Sequence, residues 1–174
     1  MTHSVEEMFY EIDCAITEKL DENPDIKNKI SCKKGCAACC HQAVSCSQKE
    51  AALLAKQIKE GNVEIDLTLL EKQAENLKVL ESIEFWRLPI PERKCVFLSD
   101  ENTCMAYKYR PLVCRTHFVL SDPKICATPD GKGTITFINF KSLEIPAFNL
   151  LTNGDLNKIN YLPILLKKEL EKLG

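Results

Sequence analysis

Four cysteines fall within nine residues of this 174-residue chain: Cys32, Cys36, Cys39 and Cys40, in the string CKKGCAACC. Three more, Cys95, Cys104 and Cys114, follow in KCVFLSDENTCMAYKYRPLVCR. Thiolates are soft ligands, so this concentration of them predicts a bound soft metal or metal cluster. Cys32 and Cys36, Cys36 and Cys39, and Cys36 and Cys40 are three or four residues apart and would share one face of a helical turn. Cys39 and Cys40 would diverge by about 100° on such a turn, so the two cannot serve one centre without a departure from helix. Thiolates around a zinc lie roughly 3.7 Å apart, as Zn–S bonds of about 2.3 Å and tetrahedral geometry require. The first block alone cannot supply four such ligands, and the second block is expected to close the site. Joining the blocks closes a loop of about fifty residues at a modest, logarithmic entropy cost. Metal binding worth about 10–16 kcal/mol in small zinc modules outweighs that cost.

Seven thiolates can hold two zincs that share one sulfur, or one four-iron cluster with three thiols to spare. Cys32-x3-Cys36-x2-Cys39 also has the spacing that radical-SAM enzymes use for a cluster, but this chain is too short for their barrel. The spacings of nine and ten after Cys95 do not form the paired C-x2-C of a zinc ribbon. Five basic residues and no acidic one lie from Lys27 to Lys49, and five basic with two acidic from Arg93 to Arg115. These cations are expected to offset the charge of the thiolates and favour their ionised form. His41 and His117 adjoin the two blocks and are read as hydrogen-bonded neighbours of the site. Cys46 and Cys126 are further thiols close to the blocks but outside the predicted ligand set.

The elements that must position these residues read as mainly helical. Ser4 and Glu7 form a capping box ahead of an amphipathic helix to about Leu20, with Val5, Met8, Phe9, Ile12, Ala15, Ile16 and Leu20 on one face. Cys14 lies beside that stripe and is read as a small buried hydrophobe. Gly35 permits a tight turn between the first two thiols. A second capping box, Ser47 to Glu50, opens a helix that Gly61 ends. Asp66 starts a third, with Leu70, Ala74, Leu77 and Ile83 near one face, stopping by Pro89 and Pro91. The second cysteine block is loop-rich, with a turn at SDEN and a short helix in MAYKY ended by Pro111. PDGKG is a turn, and TITFINF alternates as a strand whose best partner is VCRTHFVL. From about Ala147 to Leu173 the chain reads as helix, interrupted at Asn153-Gly154 and near Pro163.

The hydrophobic fraction of 45% and charged fraction of 28% are those of a folded globular protein. A net charge of −2 argues against a nucleic-acid binder. No apolar run approaches the roughly 20 residues of a membrane span, and the acidic start MTHSVEEMFYEIDC has no charged-then-apolar leader. The expectation is a cytoplasmic protein without nucleic-acid or membrane partners, with thiols free or metal-bound rather than paired as disulfides.

The string CKKGCAACCH, then CVFL, then CMAYKYRPLVCR resembles the YkgJ-type cysteine-cluster family of zinc- or iron-chelating domains. The family pattern is similar to C-x3-C-x2-C-C, C-x-F-L and C-x-x-Y-x-x-R-P-x-x-C-R. Here it falls on Cys32, Cys36, Cys39, Cys40, Cys95, Phe97, Leu98, Cys104, Tyr107, Arg110, Pro111, Cys114 and Arg115. Thr116-His117-Phe118 departs from the aromatic-proline pair that relatives often carry after this arginine. The resemblance implies a metal site on the seven cysteines, and the same cluster occurs in flagellin lysine N-methylases.

The expected fold is mainly α with a small irregular or short-strand element, the helices packed around a cysteine-ligated metal site. A single metal-stapled domain is expected over 1–174, with its cysteine-cluster core at about 30–126. The expected cofactor is zinc or an iron–sulfur cluster, and the expected role is metal handling, structure or interaction, with a protein partner. The alternative is a redox or protein-modifying enzyme component related to the cluster domain of the methylases.

Overall fold

The computed structural model describes residues 4–33, 35–126 and 134–174. Helix α1 (Val5–Asp21) and the short α2 (Pro24–Lys27) lead into the first cysteine block, which ends in a 3₁₀ turn at Ala38–His41. Strand β1 (Ser45–Ser47) and α3 (Gln48–Lys59) follow, then α4 (Leu67–Val79), α5 (Ser82–Trp86) and α6 (Ile90–Arg93). The second block carries a 3₁₀ turn at Tyr107–Tyr109 and α7 (Leu112–Thr116), and is followed by α8 (Pro123–Cys126). After α9 (Lys141–Thr152) and a 3₁₀ turn at Leu156–Lys158, β2 (Ile159–Tyr161) runs into α10 (Leu162–Leu173).

Local chemistry sets the ends of the long helices. Both expected capping boxes form: Ser4 with Glu7 ahead of α1, and Ser47 with Glu50 ahead of α3. Asp66 accepts the Leu69 N–H and starts α4. That helix ends sooner than its apolar spacing predicts, because Leu80 is extended and Glu81 and Glu84 cap a new turn. Ile83 is thereby left exposed. Asn153 takes the left-handed conformation (φ 54°) that ends α9 at the expected interruption. Pro163 does not interrupt α10; it lies in its first turn, where the missing N–H costs nothing. Helix α9 begins at Lys141, earlier than expected. Cys14 on α1 is exposed, not buried, because it lies off the stripe that packs inward.

Helix α3 lies between two apolar clusters. Leu54, Ala51 and Ala55 pack with Leu70 of α4, with Val96 and Phe97, and with Leu162, Leu165 and Leu166 of α10. Leu53, nearly 100° around the same helix, packs with Met8, Phe9, Ile12 and Ile16 of α1, with Leu112 of α7 and with Leu151 of α9. A smaller cluster of Leu77, Phe85 and Ile164 lies beside α4. The fold is mainly α, as expected, with one two-stranded antiparallel sheet in which Ser45 faces Tyr161 and Ser47 faces Ile159. TITFINF forms no ladder among the described residues. It meets the expected partner at one antiparallel bridge, Val119 with Phe137, flanked by Leu120 N–H to Thr136 C=O and Ile138 N–H to Phe118 C=O. PDGKG and Lys34 lie outside the described residues.

Much of this apolar packing involves no cysteine, so the helical frame has its own source of stability. Leu166→Ala, at a position with 0% exposure, is expected to destabilise the fold by about 2–5 kcal/mol in urea unfolding. Leu150→Ala, at a position 61% exposed, is expected to change stability by less than about 0.5 kcal/mol.

Candidate metal centre

The two cysteine blocks are joined by main-chain hydrogen bonds. The Cys95 N–H donates to the Cys40 carbonyl at 2.7 Å. Arg93 Nη1 donates to the neighbouring His41 carbonyl at 3.0 Å. The stretch that follows the second block returns to the first: Ser31 N–H donates to Val119 C=O, and the Val119 N–H reaches Cys32 Sγ at 3.4 Å. The Cys32 thiol in turn faces the His117 carbonyl at 3.8 Å. Gly35, with φ at +86°, makes the expected turn between Cys32 and Cys36.

Cys32, Cys36, Cys39, Cys40, Cys95, Cys104 and Cys114 all line one cavity of about 730 Å³. Its remaining wall is largely apolar, with Val44, Phe97, Leu98, Val113, Phe118 and Leu162, and its cations are Lys33 and Arg110. All ten cysteines are free thiols. Among the described residues no three Cys, His, Asp or Glu side chains stand in ligating positions as they are. The donors are nevertheless of one soft class and open on one space, which suits a thiophilic ion or cluster. Closing on it requires the thiols to turn inward from the cavity wall.

Glu50 fixes the helix that carries Cys114. Its carboxylate is 1% exposed, takes the Ser47 N–H at 2.6 Å to complete the α3 capping box, and takes the Leu112 N–H at 2.7 Å at the start of α7. Burial pushes its pKa up, and the donated N–H groups and Arg115 pull it back. Cys46 is buried beside Glu50 and does not line the cavity; burial pushes its thiol well up, with Glu50 and Cys114 adding to the shift.

The cavity thiols repel one another's ionisation. Burial pushes Cys95 up to about 12, and the neighbouring Cys104 and Cys39 add to the shift. Cys114 rises well above the ordinary value through burial and then Cys95, Cys39 and Cys104. Cys39 rises through its hydrogen bond with Cys40 and through burial. Cys32 rises through burial, against the Val119 N–H, with Cys36 and Cys39 opposing its charge. Cys126, on α8 against the Ala38–His41 turn, feels Cys32, Cys39 and Cys36 and is 3% exposed. Gln42 Nε2 holds its carbonyl at 3.4 Å. The sequence placed Cys126 close to the blocks but outside the ligand set, and in the structure it lies beside the first block without lining the cavity.

The expected charge compensation is narrower than the run of basic residues predicts. Burial raises the pKa of Cys104 and Cys114, and Arg110 offsets part of both shifts; Arg115 also feels Cys114. Lys27 pairs with Asp21, Lys94 with Asp100, and Lys49 binds Leu150 C=O and Asn153, all away from the thiols. His41 Nδ1 bonds the Ala37 carbonyl at 3.0 Å and does not line the cavity. His117 does line it, edge-on to Phe137, and burial lowers its pKa.

Raised thiol pKa values have two consequences of opposite sign. For the metal-free chain, burying neutral thiols stabilises the fold fully below their ordinary value near 9, and this is lost as pH rises toward the Cys95 value of about 12. For metal binding, each thiol taken as ligand must release a proton. Zinc affinity is therefore expected to climb steeply from about pH 6 to 8, by about tenfold per pH unit for each proton released. Competition titrations with a chromophoric chelator, paired with proton-release measurements in weak buffer, check this; a pH-independent affinity contradicts it.

Among the described residues, no helix is long and apolar enough to cross a membrane. No curated protein and no solved structure matches the chain. Residues 31–132 match the family model CxxCxxCC, described as "Putative zinc- or iron-chelating domain". That span covers more than half of the chain and holds every thiol that lines the cavity. The chain belongs to this cysteine-cluster family of zinc- or iron-chelating domains, the family that its combined motif resembles.

Proposed function

We propose that Cys32, Cys36, Cys39, Cys40, Cys95, Cys104 and Cys114 form the chelating site, and that the protein handles zinc or an iron–sulfur cluster in the cytoplasm. The observation that carries this reading is the presence of all seven thiols on one cavity wall, at positions far apart in sequence. Ten free thiols fit a reducing compartment. Cys126, packed against the Ala38–His41 turn, does not line the cavity and stands outside the seven. In this reading the metal staples the two blocks, while the apolar clusters hold the helices. The partner that delivers or receives the metal is another protein. Lys33, exposed at the cavity wall and without an ion pair among the described residues, suits an acidic one.

A second reading is a redox or protein-modifying enzyme component. It is favoured by one feature: a cavity of about 730 Å³ with a largely apolar wall has the size of a small-molecule pocket, roughly 300–1,000 Å³. A closed four-thiolate zinc supports the first reading, and a redox-active cluster beside open space supports the second.

Anaerobic purification followed by elemental analysis and a visible absorption spectrum separates the two. A brown protein with iron and sulfide is the cluster form; a colourless one with stoichiometric zinc is the structural form; a chain with neither overturns the metal reading. Cys36→Ser and Cys114→Ser are each expected to lower metal content and to loosen the cysteine blocks, with far-UV circular dichroism from the helices largely kept. Cys14→Ser, on the exposed face of α1, is expected to leave metal content unchanged. Full metal and wild-type melting in both site variants would remove the shared site.

A further inference from the structure

Asp13 lies on α1, outside the matched family segment, and its carboxylate reaches both arginines of the second cysteine block. Oδ2 accepts from Arg115 Nη1, and Oδ1 lies 3.6 Å from Arg110 Nη2. The Arg115 side chain is 1% exposed. It lies over the Phe9 ring at 4.0 Å, and it donates Nε to the Arg110 carbonyl at 3.0 Å and Nη2 to the Lys108 carbonyl. Those two carbonyls belong to the turn that aims Arg110. Arg110 donates Nη1 to the Tyr107 carbonyl at 2.9 Å, stacks on the Tyr107 ring at 3.8 Å and lines the cavity. One carboxylate on α1 thus fixes both ends of the segment that presents the cavity's guanidinium beside Cys104 and Cys114.

The geometry points to Asp13 as a positioning residue of the metal centre: through Arg115 and Arg110 it holds the cation that offsets the thiolate charge, so α1 helps set how firmly the metal is kept. This rests on the metal-binding reading above. A planar guanidinium gripped by a carboxylate and two carbonyls, as that of Arg115 is, has one orientation, whereas a lysine ammonium in solvent has many. Outer partners that orient a metal site typically change metal affinity by about 10–100-fold when removed.

The test uses the full chain loaded with zinc, and separately with cobalt(II) as a spectroscopic probe. Asp13→Asn is expected to release zinc to a chelator about tenfold faster than wild type and to shift the cobalt–thiolate charge-transfer band, with Asp13→Glu restoring part of both. Asp21→Asn, at the end of α1 and paired with Lys27 of α2, is expected to behave as wild type. Arg110→Lys leaves the Arg115 pair intact and reads the same contacts from their far end. It is expected to release zinc faster as well, and it keeps the test open if Asp13→Asn does not fold. A folded Asp13→Asn that melts earlier yet keeps wild-type release and cobalt spectrum overturns the inference and leaves the metal reading standing. Wild-type release from Arg110→Lys also overturns it. A wild-type chain that takes up neither ion overturns the metal reading itself, and this inference with it.

Discussion

The hydrogen bond from the Cys95 N–H to the Cys40 carbonyl, 2.7 Å long, is the contact on which the cavity depends. It joins main chain to main chain, so it needs no metal and no ionised sulfur. The Ser31 N–H to Val119 C=O bond does the same on the other side of the first block. Closing a loop of about fifty residues costs entropy that grows only slowly with length, and the packing of α3, α4 and α10 already brings the ends of that loop together. Small zinc modules are unfolded without their ion because they have no such frame. Here the frame has its own apolar clusters, so the walls that carry the thiols stand in place independently of an ion.

Legibility in the sequence followed the range of the interaction. The capping boxes at Ser4 and Ser47, the Asp66 cap and the Gly35 turn are decided by residues three or four apart, and each formed as its spacing implied. The seven thiols were legible because their type and close spacing are themselves the chemical signal of a soft-metal site. What stayed hidden was long-range. Nothing near Ser45–Ser47 announces a strand, since its partner is Ile159–Tyr161 at the far end of the chain. Cys14 was misplaced because a cysteine at the edge of an apolar stripe is compatible with either face, and packing put it outside. The early end of α4 had the same origin: Leu80 and Ile83 continue the apolar period, yet the Glu81–Glu84 cap starts a new turn there.

Glu50 and Arg115, each 1% exposed, do related work at opposite ends of α7. Glu50 takes N–H groups at the starts of both α3 and α7, which satisfies donors that a helix leaves unpaired at its N-terminus. Arg115, near the other end of α7, ties that helix to α1 through Asp13 and to the preceding turn through two carbonyls. Cys114 lies between these anchors. Its helix is thus held by side chains at both ends, whereas the first block is held through the main-chain groups of Ser31 and Cys40.

That difference bears on why arginine rather than lysine faces the thiols. A thiolate centre with zinc carries net negative charge, and a nearby cation favours the ionised sulfurs only if it stays near. Among the described residues, Lys27 pairs with Asp21, Lys94 with Asp100 and Lys49 with the end of α9, while Lys33 lines the cavity but is exposed, where screening weakens its pull on a buried sulfur. Arg110 is held by the Tyr107 carbonyl and ring and by Asp13, with a side chain only 12% exposed, so its charge acts at fixed range on Cys104 and Cys114. Counting basic residues along the sequence overstates compensation, because charge compensates only where geometry confines it. In this fold the confinement comes from a helix that precedes the cysteine segment, so the electrostatics of the centre belong to the whole packed chain and not to the cysteine motif alone.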